Sequence, residues 1–201
     1  MVERIVIKMG GATLFQQYGF EAEVRSLLSQ YKRAQVWFLV GGGDLVEAMR
    51  TAHQIYPRLQ EEEVHWQCIE LLDHTWTIAK QVVPTELSIA SREELEQVTQ
   101  IRDAPGAAWV RVQAFYNRDD CHKIPTDWLP KTDWNTTTDV LAWLLGKIID
   151  ADRVILMKQC DCNSAWTLAE AANRGVIDSE LARLVGANPS VRLNIELRQV
   201  E

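Results

Sequence analysis

Positive charge is scarce in this chain. Its 201 residues carry 21 Lys and Arg against 28 Asp and Glu, a formal net charge of -7. That balance excludes a general nucleic-acid binder, which needs a basic face, but not an anionic small molecule held by a few local cations. No apolar run approaches the length of a membrane span. No basic segment leads into an apolar leader before the strand-like residues at 4–7, so we expect a cytoplasmic protein that is neither secreted nor membrane-bound. There are only four cysteines, Cys68, Cys121, Cys160 and Cys162, and in such a compartment they read as reduced thiols. Cys160-x-Cys162 and Cys121-His122 lack the paired spacing of structural zinc sites, and no metal ligands are expected. A Gly-x-x-x-x-Gly-Lys-Ser/Thr run is missing, which excludes a P-loop NTPase, and the glycines at 41–43 lack dinucleotide-fold spacing. His53, His65, His74 and His122 sit in no hydrolase motif, and His53 and His74 read as helix-surface residues. Linkers, repeats and low-complexity tracts are also lacking. The expectation is one domain over residues 1–201, large enough to bury a core without disulfides or metals.

What is present is an alternation of two patterns. Residues 4–7, 36–40 and 153–157 are short apolar, β-branched runs, as in strands buried on both faces of a parallel sheet. Phe20, Val24, Leu27, Leu28 and Tyr31 share one helical face. A second helix, with Asp44 as its cap, should stop before Pro57. A third, begun by the acidic cluster Glu61-Glu62-Glu63, should run towards Val83 and end at Pro84. Strands are expected at 85–90 and 109–115 with a short helix at 91–99 between them, then a surface loop over 116–135. A helix over 137–149, helices near 165–172 and 179–185, and a strand near 192–197 complete the chain. The fold class is therefore α/β, a mostly parallel sheet covered by helices on both faces.

Three junctions could carry chemistry. Lys8-Met9-Gly10-Gly11-Ala12-Thr13 places paired glycines between a strand and a helix, where backbone N–H groups can hold an anion. Lys8, read as an exposed strand-end side chain, could reach a phosphate. Gly41-Gly42-Gly43-Asp44 repeats the arrangement after the second strand. Either turn alone could be ordinary, but two at the same edge of neighbouring parallel strands point to the place where α/β sheets bind ligands. Thr136-Thr137-Thr138-Asp139 opens a helix. Capping explains the threonines, while Asp139 could also orient Lys8 and balance its charge.

A Lys-x-Gly-Gly turn, a Gly-Gly-Gly turn about thirty residues later and a Thr-x-Asp helix start resemble the amino acid kinase superfamily, which includes aspartate, acetylglutamate and uridylate kinases. The segments His65-Trp66-Gln67-Cys68-Ile69 with Asp73, 129–139 with Ala142-Trp143, and Leu156-Met157-Lys158 resemble its short members. These are the (aminomethyl)furanmethanol-phosphate kinases of methanofuran biosynthesis and bacterial relatives linked to methanopterin-dependent one-carbon metabolism. The resemblance covers nearly the whole chain.

The resemblance implies a kinase that uses ATP and Mg²⁺ and moves a phosphoryl group to a phosphorylated or carboxylated small molecule. Lys8, Asp139 and Lys158 would be catalytic. Gly10, Gly11, Gly41, Gly42, Gly43 and Thr138 would hold the nucleotide phosphates. Asp44, His65, Trp134 and Asn135 would contact the acceptor. It also implies a homo-oligomer, with the helix at 61–83 as a contact. Ala12, Asn135 and Gln159-Cys160-Asp161-Cys162 depart from the family pattern. They keep a second reading open: a catalytically degenerate relative that binds a nucleotide, another anion or a partner protein.

Overall fold

The computed structural model describes residues 2–15, 19–163, 165–188 and 193–200. Six strands form one all-parallel sheet in the order β3-β4-β2-β1-β5-β6. They are β1 (Arg4–Met9), β2 (Gln35–Val40), β3 (Leu87–Ile89), β4 (Gly106–Val110), β5 (Arg153–Lys158) and β6 (Asn194–Gln199). The helices are α1 (Gly11–Leu14), α2 (Phe20–Gln30), α3 (Asp44–Ile55), α4 (Glu61–Val82), α5 (Arg92–Thr99), α6 (Thr138–Ile148), α7 (Leu168–Asn173) and α8 (Ser179–Ala187). This is the expected α/β class.

The apolar runs are continuous because both faces of the sheet are covered. Alternate residues of each strand enter different cores. Ile5, Ile7, Val36, Phe38 and Ile155 join one core with Phe20, Val24 and Leu27 of α2. Val6, Trp37, Leu39, Val154 and Leu156 join the other with Leu72 of α4 and Leu141, Leu144 and Leu145 of α6.

Several expected boundaries move. The strand expected at 109–115 is β4 at Gly106–Val110, followed by a 3-10 turn at Val112–Ala114. The small residues that open β4 pair with bulky ones, Ala108 with Trp37 and Ala107 with Val36. The turn follows Arg111, whose guanidinium donates twice to the Asp73 carboxylate on α4. The helix expected at 165–172 is α7, which starts at Leu168 behind a capping box of Thr167 and Glu170. Arg192, the expected start of the last strand, lies outside the described residues, and β6 begins at Asn194. The loop over 116–135 holds only 3-10 turns, at Cys121–Lys123 and Thr126–Trp128. It is pinned by buried Tyr116 and Ile124.

Sheet order puts the candidate residues on one edge. From β1 the chain steps to β2 on one side, and later to β5 on the other. The carboxyl ends of these three strands flank the point where the winding reverses, the usual crevice for ligands in open α/β sheets. Lys8 and Gly10-Gly11 follow β1, Gly41–Gly43 follow β2, and Lys158 closes β5.

Candidate active site

A cavity of about 360 Å³ opens at this edge, lined by Lys8, Gly11, Gly41–Gly43, Asp139 and Lys158 among others. Its floor is backbone. A Cβ on Gly11 would lie 2.2 Å from the Gly43 nitrogen and 2.3 Å from the Gly41 carbonyl oxygen. The two turns therefore touch directly, and only glycine fits there. Gly43 also has φ +52, in the left-handed region.

That conformation makes Gly43 the residue that caps α3, with Asp44 as the first helical residue, which corrects the expectation that Asp44 caps it. The Gly41 N–H is committed to the Met9 carbonyl at 2.9 Å. Among the described residues the N–H groups of Gly42 and Gly43 have no acceptor, and both glycines line the cavity.

Above this floor sits a buried triad. Asp139, in the first turn of α6, is 3% exposed. Its carboxylate pairs with Lys8 at 3.1 Å and accepts a hydrogen bond from Lys158. Lys8 is not the exposed strand-end lysine expected. Each lysine side chain is 12% exposed, because the apolar cores bring both strand ends against the start of α6. Burial opposes charge on Asp139. The attraction of Lys8 and Lys158 and the hydrogen bonds from them outweigh it and hold the group below the usual carboxylate range. Thr137 caps α6 by accepting from the Asp139 N–H at 3.3 Å. Thr138, also buried, reaches Gly41, where a Cβ would lie 3.0 Å from its hydroxyl.

One lining group went unnoticed in the sequence. Asp178, just before α8, accepts a hydrogen bond from the Thr137 hydroxyl. Burial first, then the Asp139 carboxylate, pushes its carboxyl up to about 6, against the Thr137 bond and the two lysines. Its only sequence signal is its position as an acid opening a helix.

The far end of the cavity is built from α3, α4 and the 133–137 loop. The Trp134 indole donates to His53 Nδ1 at 2.7 Å, and Arg50 lies 4.8 Å over its ring. The face of α3 that bears His53 is thus covered by Trp134 rather than open. His65 is buried, and its Nε2 lies 3.0 Å from the Tyr116 hydroxyl, within hydrogen-bond reach. Burial favours its neutral form and lowers its pKa, although Asp133, Glu62 and Glu61 oppose this. Cys68 also lines the cavity, and burial raises its thiol to about 11, far from a reactive thiolate.

The fold thus gathers Lys8, Gly11, Gly41, Gly42, Gly43, His65, Trp134, Thr138, Asp139 and Lys158 around one space. It does not bring Gly10, Asp44 or Asn135 to the wall. Gly10 precedes α1 with open space where a Cβ would stand. Asp44 and Asn135 are exposed.

No family model matches the chain, and no curated protein matches it in sequence. Solved structures do match in fold. A uridylate kinase from Archaeoglobus fulgidus aligns with TM-score 0.57 at 18% identity, over 96% of this chain and 90% of that one. A UMP kinase from Ureaplasma parvum aligns with TM-score 0.65 at 12% identity, over 100% and 91%. An aspartate kinase from Synechocystis aligns with TM-score 0.62 at 12% identity, over 98% of this chain but 38% of that longer one. The chain has the fold of these kinases.

Proposed function

We propose that the protein is a phosphotransferase that moves the γ-phosphoryl group of ATP to a phosphate or carboxylate on a small molecule. The observation that carries this reading is the Lys8–Asp139–Lys158 triad set above the glycine floor. Two ammonium groups share one carboxylate, which leaves a net positive charge in a mostly buried place. Beside it are the free N–H groups of Gly42 and Gly43. Phosphoryl transfer asks mainly for positioning and for stabilisation of charge on the transferred group, and these groups can supply both. Asp139 fixes where the lysines stand. We assign Lys8, near the end of β1 beside the glycine turns, to the transferred group, and Lys158, at the end of β5, to the nucleotide side. The kinase folds of the three solved structures support the class of activity.

Magnesium fits the donor set. Five carboxylates line the cavity, those of Glu47, Glu61, Asp133, Asp139 and Asp178, against three cations. A polyphosphate entering such a space needs counter-charge of its own. A magnesium ion bound to its oxygens supplies that charge and polarises the phosphates.

The positions that depart from the family pattern, Ala12, Asn135 and 159–162, are not part of the cavity wall, which favours catalysis over the degenerate reading. The acceptor would lie towards Trp134, His65 and Arg50. The resemblance of residues 65–69 and 129–139 to the short members makes (aminomethyl)furanmethanol phosphate the first acceptor to try.

The test is titration of the full chain with a non-hydrolysable ATP analogue by calorimetry, with and without Mg²⁺, followed by turnover assays over phosphorylated and carboxylated acceptors. Saturable binding that Lys158→Met weakens at least tenfold supports the reading. Absence of binding at millimolar analogue would sink it and leave the degenerate relative.

A further inference from the structure

Asp178 lines the cavity and keeps one carboxylate oxygen uncommitted among the described residues. Asp139 cannot serve a further cation, because both lysines already pair with it. Glu47 and Arg50 face each other at 3.4 Å on α3. Asp133 and Glu61 also accept one bond each, Asp133 from the Asn135 N–H and Glu61 from the Trp134 N–H, but they stand with the loop at the far end of the cavity. Asp178 stands beside the triad instead: Thr137, which bonds it, caps the helix that carries Asp139. Among the described residues its one hydrogen bond comes from Thr137, to Oδ2. Oδ1 has no hydrogen-bond partner among the described residues. Magnesium typically takes one or two protein carboxylates and fills its remaining positions with phosphate oxygens and water.

Resting on the kinase reading, we propose that Asp178 holds the divalent cation that enters with the nucleotide, through the carboxylate oxygen that Thr137 leaves free. The bond from Thr137 then has a second role. It fixes the carboxylate at the junction of α6 and α8, as supporting hydrogen bonds orient metal ligands elsewhere. It also ties the cation to the helix start that carries Asp139.

The readout is the ratio of dissociation constants for the ATP analogue without and with Mg²⁺, measured on the full chain. In the unaltered protein millimolar Mg²⁺ should tighten binding at least tenfold. Asp178→Asn keeps an oxygen acceptor for Thr137 but loses the charge, and it should bring the ratio close to one while cation-free binding stays equal or becomes tighter. Thr137→Val removes the hydrogen bond and keeps the carboxylate, so most of the ratio should survive. Asp178→Ser gives the same reading should the amide destabilise the chain. Mn²⁺ in place of Mg²⁺, followed by electron paramagnetic resonance, should show a bound ion with the analogue in the unaltered protein and a free-ion spectrum in Asp178→Asn. An unchanged ratio in both Asp178 variants would overturn the assignment and leave the nucleotide site standing. A full chain that binds no analogue at all would overturn both.

Discussion

The two ends of β1 each carry a buried cation, and they are satisfied in opposite ways. At the amino end Arg4 is 2% exposed. Its guanidinium donates to the Gln35 side chain and to the carbonyls of Thr99, Ile101 and Ile149. Every one of those acceptors is neutral, and the small hollow that Gln35 and Ile101 help to line is not reached by Arg4 itself. At the carboxyl end Lys8 shares the single Asp139 carboxylate with Lys158 and borders an open space. A cation whose hydrogen bonds are filled by the fold is there for the fold. A pair of ammonium groups with one carboxylate between them still has donors to offer. On the proposed kinase reading, the difference separates structural from functional charge on one strand, four residues apart.

The hardest blow to the carboxyl end is Asp139→Ala. It leaves two lysines facing each other, should cost about 3–5 kcal/mol of stability, and should abolish binding of the ATP analogue. Calorimetric melting and titration of the same sample read both effects. At the amino end, Arg4→Met orphans the Gln35 side-chain oxygen and the Thr99 and Ile149 carbonyls, while Ile101 keeps its bond from Gln35, and should cost about 2–3 kcal/mol, with analogue affinity within twofold of the unaltered protein. A large loss of affinity there would erase the contrast between the two ends.

Gly11→Ala sharpens it further. Its Cβ has nowhere to go between Gly41 and Gly43, so the turns must part at about 1–3 kcal/mol with loss of analogue binding. Gly10→Ala, with open space around it, should change neither.

The smallest effect expected is the acid sensitivity of the far end. Burial depresses the pKa of His65 below its ordinary 6.5, so folding favours the neutral ring. The stability this contributes is fully present above pH 6.5 and is lost as pH falls through the depressed value. The melting temperature of the unaltered protein should therefore fall more steeply below pH 6.5 than that of His65→Gln. Parallel curves would remove His65 as the cause.

What could be read from the sequence follows the range of the interactions. The parallel sheet and the glycine turns were legible because each is a local pattern: an apolar run, a pair of small residues, a helix start. Lys8, Asp139 and Lys158 could be named from the family resemblance, but their burial could not, since it depends on α6 meeting the ends of two strands. Arg4 read as the edge of an apolar run, and nothing near it in sequence announces the carbonyls at 99, 101 and 149. Asp178 stayed hidden because its partner is 41 residues away. The start of β4 was missed because Gly106-Ala107-Ala108 has weak strand preference by itself and owes its place to Trp37 and Val36 beside it. Trp134 was named, but its covering of His53 is a contact between a loop and a helix that no spacing rule reveals.

The shared carboxylate has a consequence for descent. Replacing all three of Lys8, Asp139 and Lys158 with apolar side chains should cost little or even stabilise the chain, whereas replacing Asp139 alone strands two lysines and replacing either lysine leaves one balanced pair. The unfavourable step is loss of the carboxylate ahead of the lysines, so Asp139 should be the last of the three to be lost. Among related sequences, Asp139 with a single lysine should occur, and both lysines without Asp139 should be rare.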